Sequence, residues 1–218
     1  MRKSISRWAK LALLCGAGLV PSLYALRPAP ASILTKLSLG DMAGRADRAL
    51  VGTVEQVRSR FLGDGGYIVT EVRIRCTREL LGVPAGTVFT VTHLGGEVGE
   101  IGQKVFGEAS YQVGQEVLLL AEERAGAFFA VGMAQGALHI EREPQSGERR
   151  VRVELAGAEL QGAGAASPAS PASVEPTANG ANLETVLAQL QPLLAAKAAQ
   201  RARPAASPAT SPANKGGK

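Results

Sequence analysis

The strict alternation from Tyr67 to Thr77 constrains this chain more than any other feature. Ile68, Thr70, Val72, Ile74 and Cys76 fall on one parity and Val69, Glu71, Arg73 and Arg75 on the other. A period of two over ten residues is the pattern of a strand with one face in a core and one toward water. Similar runs recur along the chain. Ala49 to Val57 is rich in Val and Thr, Thr87 to His93 forms a third run, and Gln115 to Ala121 carries successive apolar residues that suit a strand buried on both faces. Ala127 to Met133 is a fifth run, and Ala137 to Arg142 is set to pair with Arg149 to Leu155 across Pro144 to Gly147. Turn residues separate them, notably Gly63 to Gly66 and Glu122 to Gly126. The spacing predicts an all-β domain, a closed or nearly closed antiparallel barrel of the OB-like kind, with a sandwich as the alternative. Leu80 and Leu81 are expected to plug the barrel end.

Cysteine usage narrows what can hold such a domain together. Only Cys15 and Cys76 occur, and Cys15 lies in a segment with the layout of a secretory signal: Arg2, Lys3, Arg7 and Lys10, then an apolar stretch from Leu11 to Val20 stopped by Pro21. Cleavage is expected after Ala25, with Ala29 to Ala31 as a second site of the A-x-A pattern, and Leu14 before Cys15 argues against a lipid-modified cysteine. The mature chain then holds one thiol and no disulfide, so its stability rests on a hydrophobic core. Removing residues 1–25 takes away four basic side chains and no acidic one, so the formal charge of +5 falls to +1. The pI of about 9.5 therefore reflects the signal, and nucleic acid is not expected as a partner.

The boundaries read as a signal peptide at 1–25, a linker at 26–37, the β domain at 38–156, an Ala/Ser/Pro-rich linker at 157–181, an amphipathic helix at 182–203 and a low-complexity basic tail at 204–218. Ser38 is placed to cap a short helix with Leu39, Met42, Ala43 and Ala46 on one face, and Asn182 to cap a helix with Leu183, Val186, Leu187, Leu190 and Leu194 in one stripe. The stripe needs a partner. The linker predicts that residues 157–218 can be removed without unfolding the β domain.

Between the third strand and Gln115 the chain places six glycines in Leu94 to Gly114. Glycine loses the most backbone entropy on ordering, so this loop is the candidate contact surface. Gly95, Gly96, Glu97, Gly99, Glu100 and Gly102 form its first half, and Phe106 and Tyr111 are expected as exposed aromatic anchors. The glycines match neither a P-loop nor a dinucleotide fingerprint, because a strand rather than a helix follows. The alternative is a bulge or hairpin that crosses a barrel end. His93 and His139 lack metal-binding spacing, so no metal and no cofactor are expected. Glu97, Glu100 and Glu108 are the only carboxylates in the loop, and no nucleophile elbow is present.

The segments Ala46 to Val54, Thr70 to Ile74, Leu80 to Gly82, Gly95 to Gly102 and Val113 to Leu120 together resemble a set of uncharacterised exported bacterial proteins. Their succession is also similar to the OB-like barrel of netrin-like and metalloproteinase-inhibitor modules, without the N-terminal cysteines on which the animal inhibitors depend. The resemblance spans residues 38 to about 142 and implies a fold and an extracytoplasmic setting, periplasmic, secreted or envelope-associated. The expected function is a non-enzymatic binding or interaction module of the cell envelope, its partner a protein or glycan, with weak contact of the basic tail to anionic envelope polymers. The alternatives are a structural envelope component attached through that tail, and a small hydrolase using loop carboxylates.

Overall fold

The computed structural model describes residues 33–63, 66–155, 159–161 and 178–202. The expected signal peptide, most of the two linkers and the tail after 203 lie outside these residues. The chain is mostly β, with antiparallel sheets and two helices.

Helix α1 (Leu39–Arg45) starts where Ser38 predicts. The Asp41 backbone N–H donates to Ser38 Oγ at 2.9 Å and Ser38 N–H to the Asp41 carboxylate at 3.2 Å, a reciprocal capping box. β2 (Arg48–Leu62) and β3 (Tyr67–Leu81) form a long hairpin of 15 residues on each side, paired from Leu62↔Tyr67 to Ala49↔Leu81 with register shifts that bend the pair. β4 (Val88–Leu94) pairs with β3, and β7 (Glu116–Arg124) with β2 on its other side. β8 (Ala127–Ala130) takes the Ala121–Arg124 end of β7, and β9 (Ala137–Arg142) takes Glu116–Leu119. β10 (Arg149–Val153) pairs with β9 as expected. β5 (Gly96–Val98) and β6 (Ile101–Gln103) form a small hairpin of their own. β1 (Ile33–Thr35) and β11 (Glu159–Gln161) pair in parallel, inside segments that composition marks as linkers.

The main sheet runs β10-β9-β7-β2-β3-β4, with β8 beside β7. It does not close into the expected barrel. Closure would require β4 to pair with β8 or with β10: β4 packs close to β8 but forms no ladder with it, and β10's outer edge is already taken, since Val151 N–H donates to Ala181 O at 3.0 Å and Gly180 N–H to Val151 O at 2.7 Å. Backbone groups spent on residues 178–182 have none left for a strand partner.

The sheet is buried on both faces near its centre. Val117 and Leu119 of β7 belong to one core with Leu50, Val72, Ile74 and Val91; Leu118 and Leu120 belong to another with α1 and α2 (Leu183–Ala202). Glu184 N–H donates to Asn182 Oδ1 at 2.9 Å, the cap expected for α2. Leu183, Val186, Leu187, Leu190 and Leu194 are all buried against α1 and the sheet. The stripe's partner is therefore the chain's own domain, which corrects the expectation of a detachable tail. Five buried aliphatic side chains, each worth about 1.5–3 kcal/mol relative to exposure, make α2 part of the fold. Glu184 bridges Arg78 and Arg149, and Arg201 binds the Asp47 carboxylate. Lys197 and Arg201 near the end of this helix thus bond to the domain, Lys197 to Gly44 O and Arg201 to Asp47.

β3 continues to Leu81, beyond the expected end at Thr77, and Leu81 is buried on the helix side of the sheet with Leu80 packed beside it. These leucines fill the helix–sheet interface; they are not a plug. Cys76 is buried as its parity predicts, its Sγ 3.3 Å from Val83 O, and burial pushes the thiol above its ordinary range.

Candidate functional site

The glycine-rich loop folds back over one end of the sheet. Gly95 (φ +90°) and Gly96 (φ +130°) make the turn. A Cβ on Gly95 would come within 2.5 Å of Gln103 O, and one on Gly96 within 2.2 Å of Thr70 Oγ1 and 2.4 Å of Ser59 Oγ. Only a residue without a side chain permits this approach. Polar contacts then hold the β5–β6 hairpin down: Thr70 Oγ1 donates to Gly95 O at 2.7 Å, and Ile68 N–H to Gln103 Oε1 at 2.7 Å. Gly99 (φ +62°) forms the hairpin turn with Glu100, in open space. The first two glycines are thus architectural. Glu97, Glu100 and Gly102 remain on the exposed surface.

The two expected anchors part ways. Phe106 is 40% exposed, with Lys104 Nζ 5.6 Å from its ring centroid. Tyr111 is only 9% exposed and lies inside the sheet-side core, so it is not an exposed anchor. Its ring centroid is 5.7 Å from that of His93 and 6.1 Å from that of His139. The Tyr111 hydroxyl and both ring nitrogens of His139 are buried without hydrogen-bond partners. Burial pushes the Tyr111 hydroxyl pKa strongly upward and holds both histidines below the ordinary imidazole value; Glu154, whose Oε2 lies 4.0 Å from His139 Nε2, pulls the other way. Ser110 Oγ donates to that same Glu154 oxygen at 2.7 Å. No group of three or more His, Cys, Asp or Glu among the described residues is arranged to hold a metal.

Two recesses flank the segment that joins Leu94 to Glu108. The smaller, about 330 Å³, is lined by His93, Gly96, Glu97, Gly102, Lys104 and Ser110 among others. The larger, about 690 Å³, opens on the other side, between Leu62, Val69, Thr90 and Thr92 on the β2–β4 sheet and Arg124 to Phe129 at the β7–β8 turn. Its volume lies in the range of small-ligand and peptide clefts. Leu94 and Glu108 line both recesses. Burial raises the Glu108 pKa, and a hydrogen bond from the Leu94 backbone N–H opposes that shift.

Sequence reasoning anticipated the loop but not the cleft. Arg124, Phe128 and Phe129 belong to a hairpin that meets β4 only through tertiary packing, where the Phe89 and Phe128 rings sit 5.0 Å apart. The adjacent phenylalanines were the available signal, since simple alternation would bury just one of them. Glu97, Glu100 and Glu108 divide between an exposed hairpin and a half-buried cleft wall. Comparison with family models, with curated proteins and with solved structures gives no match to this chain.

Proposed function

We propose that this protein is an exported, non-enzymatic binding module of the cell envelope that meets its partner with the end of the sheet built by the β2–β3 tip, β4 and the β5–β6 hairpin. The observation that carries this reading is the placement of exposed apolar side chains. Eight large hydrophobic residues are exposed among the described residues, and six of them, Phe61, Leu62, Tyr67, Leu94, Ile101 and Phe106, gather at this end. Tyr67 at 66% and Ile101 at 57% exposure have little to gain from water, and exposed apolar side chains grouped at one end of a sheet suit an interaction site. Glu97 and Glu100 rim the patch and would select a partner by charge.

Export rests on the charged n-region and the apolar Leu11–Val20 stretch, and the OB-like relationship on the order of strand motifs. The half-open sheet is compatible with a partly open barrel of that kind. Intact mass of the secreted protein tests export: a mature chain beginning near Leu26 supports it, and a full-length chain retained inside the cell refutes it. For the contact surface, the double variant Leu62→Ser, Ile101→Ser should lose capture of its envelope partner at least about tenfold, with an unchanged melting temperature. Capture equal to the parent protein would remove this end of the sheet from the interface.

A further inference from the structure

The two helices cover only part of the sheet's outer face. They pack on Ala49, Val51, Leu118 and Leu120, while Arg58 and Arg60 of β2, Arg73 and Arg75 of β3 and Thr90 of β4 stay exposed on the same face. The four arginines are not equally served. Arg60 pairs with Glu71 and Arg75 with Glu55, whereas Arg58 and Arg73 have neither a salt bridge nor a side-chain hydrogen bond among the described residues. The register explains the difference. Arg58 stands opposite Glu71 and Arg73 opposite Gln56, but the Glu71 carboxylate accepts from Arg60 Nε at 2.8 Å and Gln56 carries no charge. Arg58 and Arg73 are thus diagonal neighbours on adjacent strands, close enough for side chains of their length to meet one small group.

A second observation concerns what lies beside them. Arg73 is opposite Thr90 on β4 and Glu71 is opposite Thr92, and Glu71, Thr90 and Thr92 line the 690 Å³ cleft. The two unpaired arginines therefore stand at its rim. β4 packs close to β8, which closes the cleft's floor, and Leu62, Val69, Leu94 and Phe129 supply apolar walls. Leu62 and Leu94 are 50% and 44% exposed, so an apolar occupant would take their surface out of water. Inside the cleft the charges are matched: Arg60 with Glu71, Arg124 with Glu122, and the Arg124 charge also acts on Glu108. A charge-balanced apolar trough with two unpaired cations at its rim is complementary to a molecule with an apolar chain and one anionic head.

We propose that this cleft is a binding site for a fatty-acid-type ligand, a single-chain carboxylate whose tail lies along Leu62, Val69 and Phe129 and whose head accepts N–H donors from Arg58 and Arg73. The planar fork of arginine matches a carboxylate. The site goes beyond the contact surface proposed above, since neither Ile101 nor Phe106 belongs to its walls.

The probe is decanoate, titrated to about 1 mM, a range that detects weak binding, into the 15N-labelled mature protein. The Thr90, Thr92 and Phe129 amide resonances should shift together and saturate. Two controls separate head from tail: decyltrimethylammonium should bind at least about fivefold more weakly, and acetate should leave the same resonances in place. Arg58→Ala, Arg73→Ala should keep the melting temperature, because both side chains are exposed and unpaired, and should lower decanoate affinity at least about fivefold. Phe129→Ala should lower it at least about threefold through lost apolar contact. No shift at Thr90, Thr92 and Phe129, equal binding of the ammonium amphiphile, or unchanged affinity in the arginine double variant overturns the proposal. So do decanoate shifts confined to Tyr67 and Ile101, because the amphiphile then sits on the contact surface. If decanoate fails to bind while Leu62→Ser, Ile101→Ser still abolishes partner capture, the contact surface stands and the cleft ligand falls.

Discussion

The rings of Tyr111 and His139 meet edge to face inside the domain, centroids 6.1 Å apart, and neither side chain has a hydrogen-bond partner for its polar atoms. Two polar groups have been carried into the core by the rings that bear them. The segment from Lys104 to Gln115, which the sequence presents as an exposed loop, is anchored by that burial. This arrangement leads directly to two tests.

Tyr111→Phe should leave stability unchanged or raise it by up to about 1 kcal/mol, because it removes a buried hydroxyl that makes no bond. Tyr111→Ala should cost roughly 3–5 kcal/mol through the cavity it leaves. Thermal unfolding of both variants checks this. A Phe variant clearly less stable than the parent would mean that the hydroxyl is bonded.

Stability should fall as pH drops from about 7 toward 5. Burial holds the folded pKa of His93 and His139 below the ordinary value of 6.5, so on acidification the unfolded chain takes up these protons first. The loss begins near the unfolded pKa and stops growing below the folded one. Glu108 acts with the opposite sign, since its raised pKa favours the folded state as pH falls toward the unfolded value, and this softens the lower end of the window. Denaturant midpoints of the parent and of His139→Phe across this range test the assignment; the variant should show a shallower slope.

Leu190→Ala in α2 should destabilise the whole domain by about 2–5 kcal/mol, since Leu190 is fully buried between helix and sheet. Ending the chain before Ala178 should do more, yielding an unfolded or aggregated product, because it also strips the cover from β10. By contrast, Arg201→Ala should cost no more than about 1 kcal/mol, the range of a solvent-exposed ion pair. Chemical denaturation of the three proteins ranks them. A truncated chain with parent-like cooperativity would restore the picture of a separable tail.

Gly96→Ala should cost about 1–3 kcal/mol, the range for a side chain forced into an unfavourable backbone region. At φ +130° the new methyl meets Thr70 Oγ1 and Ser59 Oγ. Gly99→Ala, in open space at φ +62°, should cost less, about 1 kcal/mol. Melting temperatures compare them, and equal losses would argue that the β5–β6 hairpin does not press on β2 and β3.

The sequence by itself determined the elements whose signals are local. Alternation at Ile68 to Cys76 set the inward face of β3, Ser38 with Asp41 set the start of α1, and the leucine spacing from Leu183 to Leu194 set the apolar stripe of α2. These depend on residues within a few turns or pleats of one another, so backbone geometry reads them directly. Tertiary structure alone decided what those faces meet. An apolar stripe states that it must be buried but not against what, so the union of α2 with α1 and the sheet was invisible, and with it the covering of β10's outer edge. The same holds for the site: glycine content announced an unusual loop, but only the contacts of Gly96 with Ser59 and Thr70 separated architecture from surface. The cleft at Glu108 was hidden for the same reason. Its walls come from β2, β3, β4 and the β7–β8 turn, residues far apart in the chain that are neighbours only through long-range pairing.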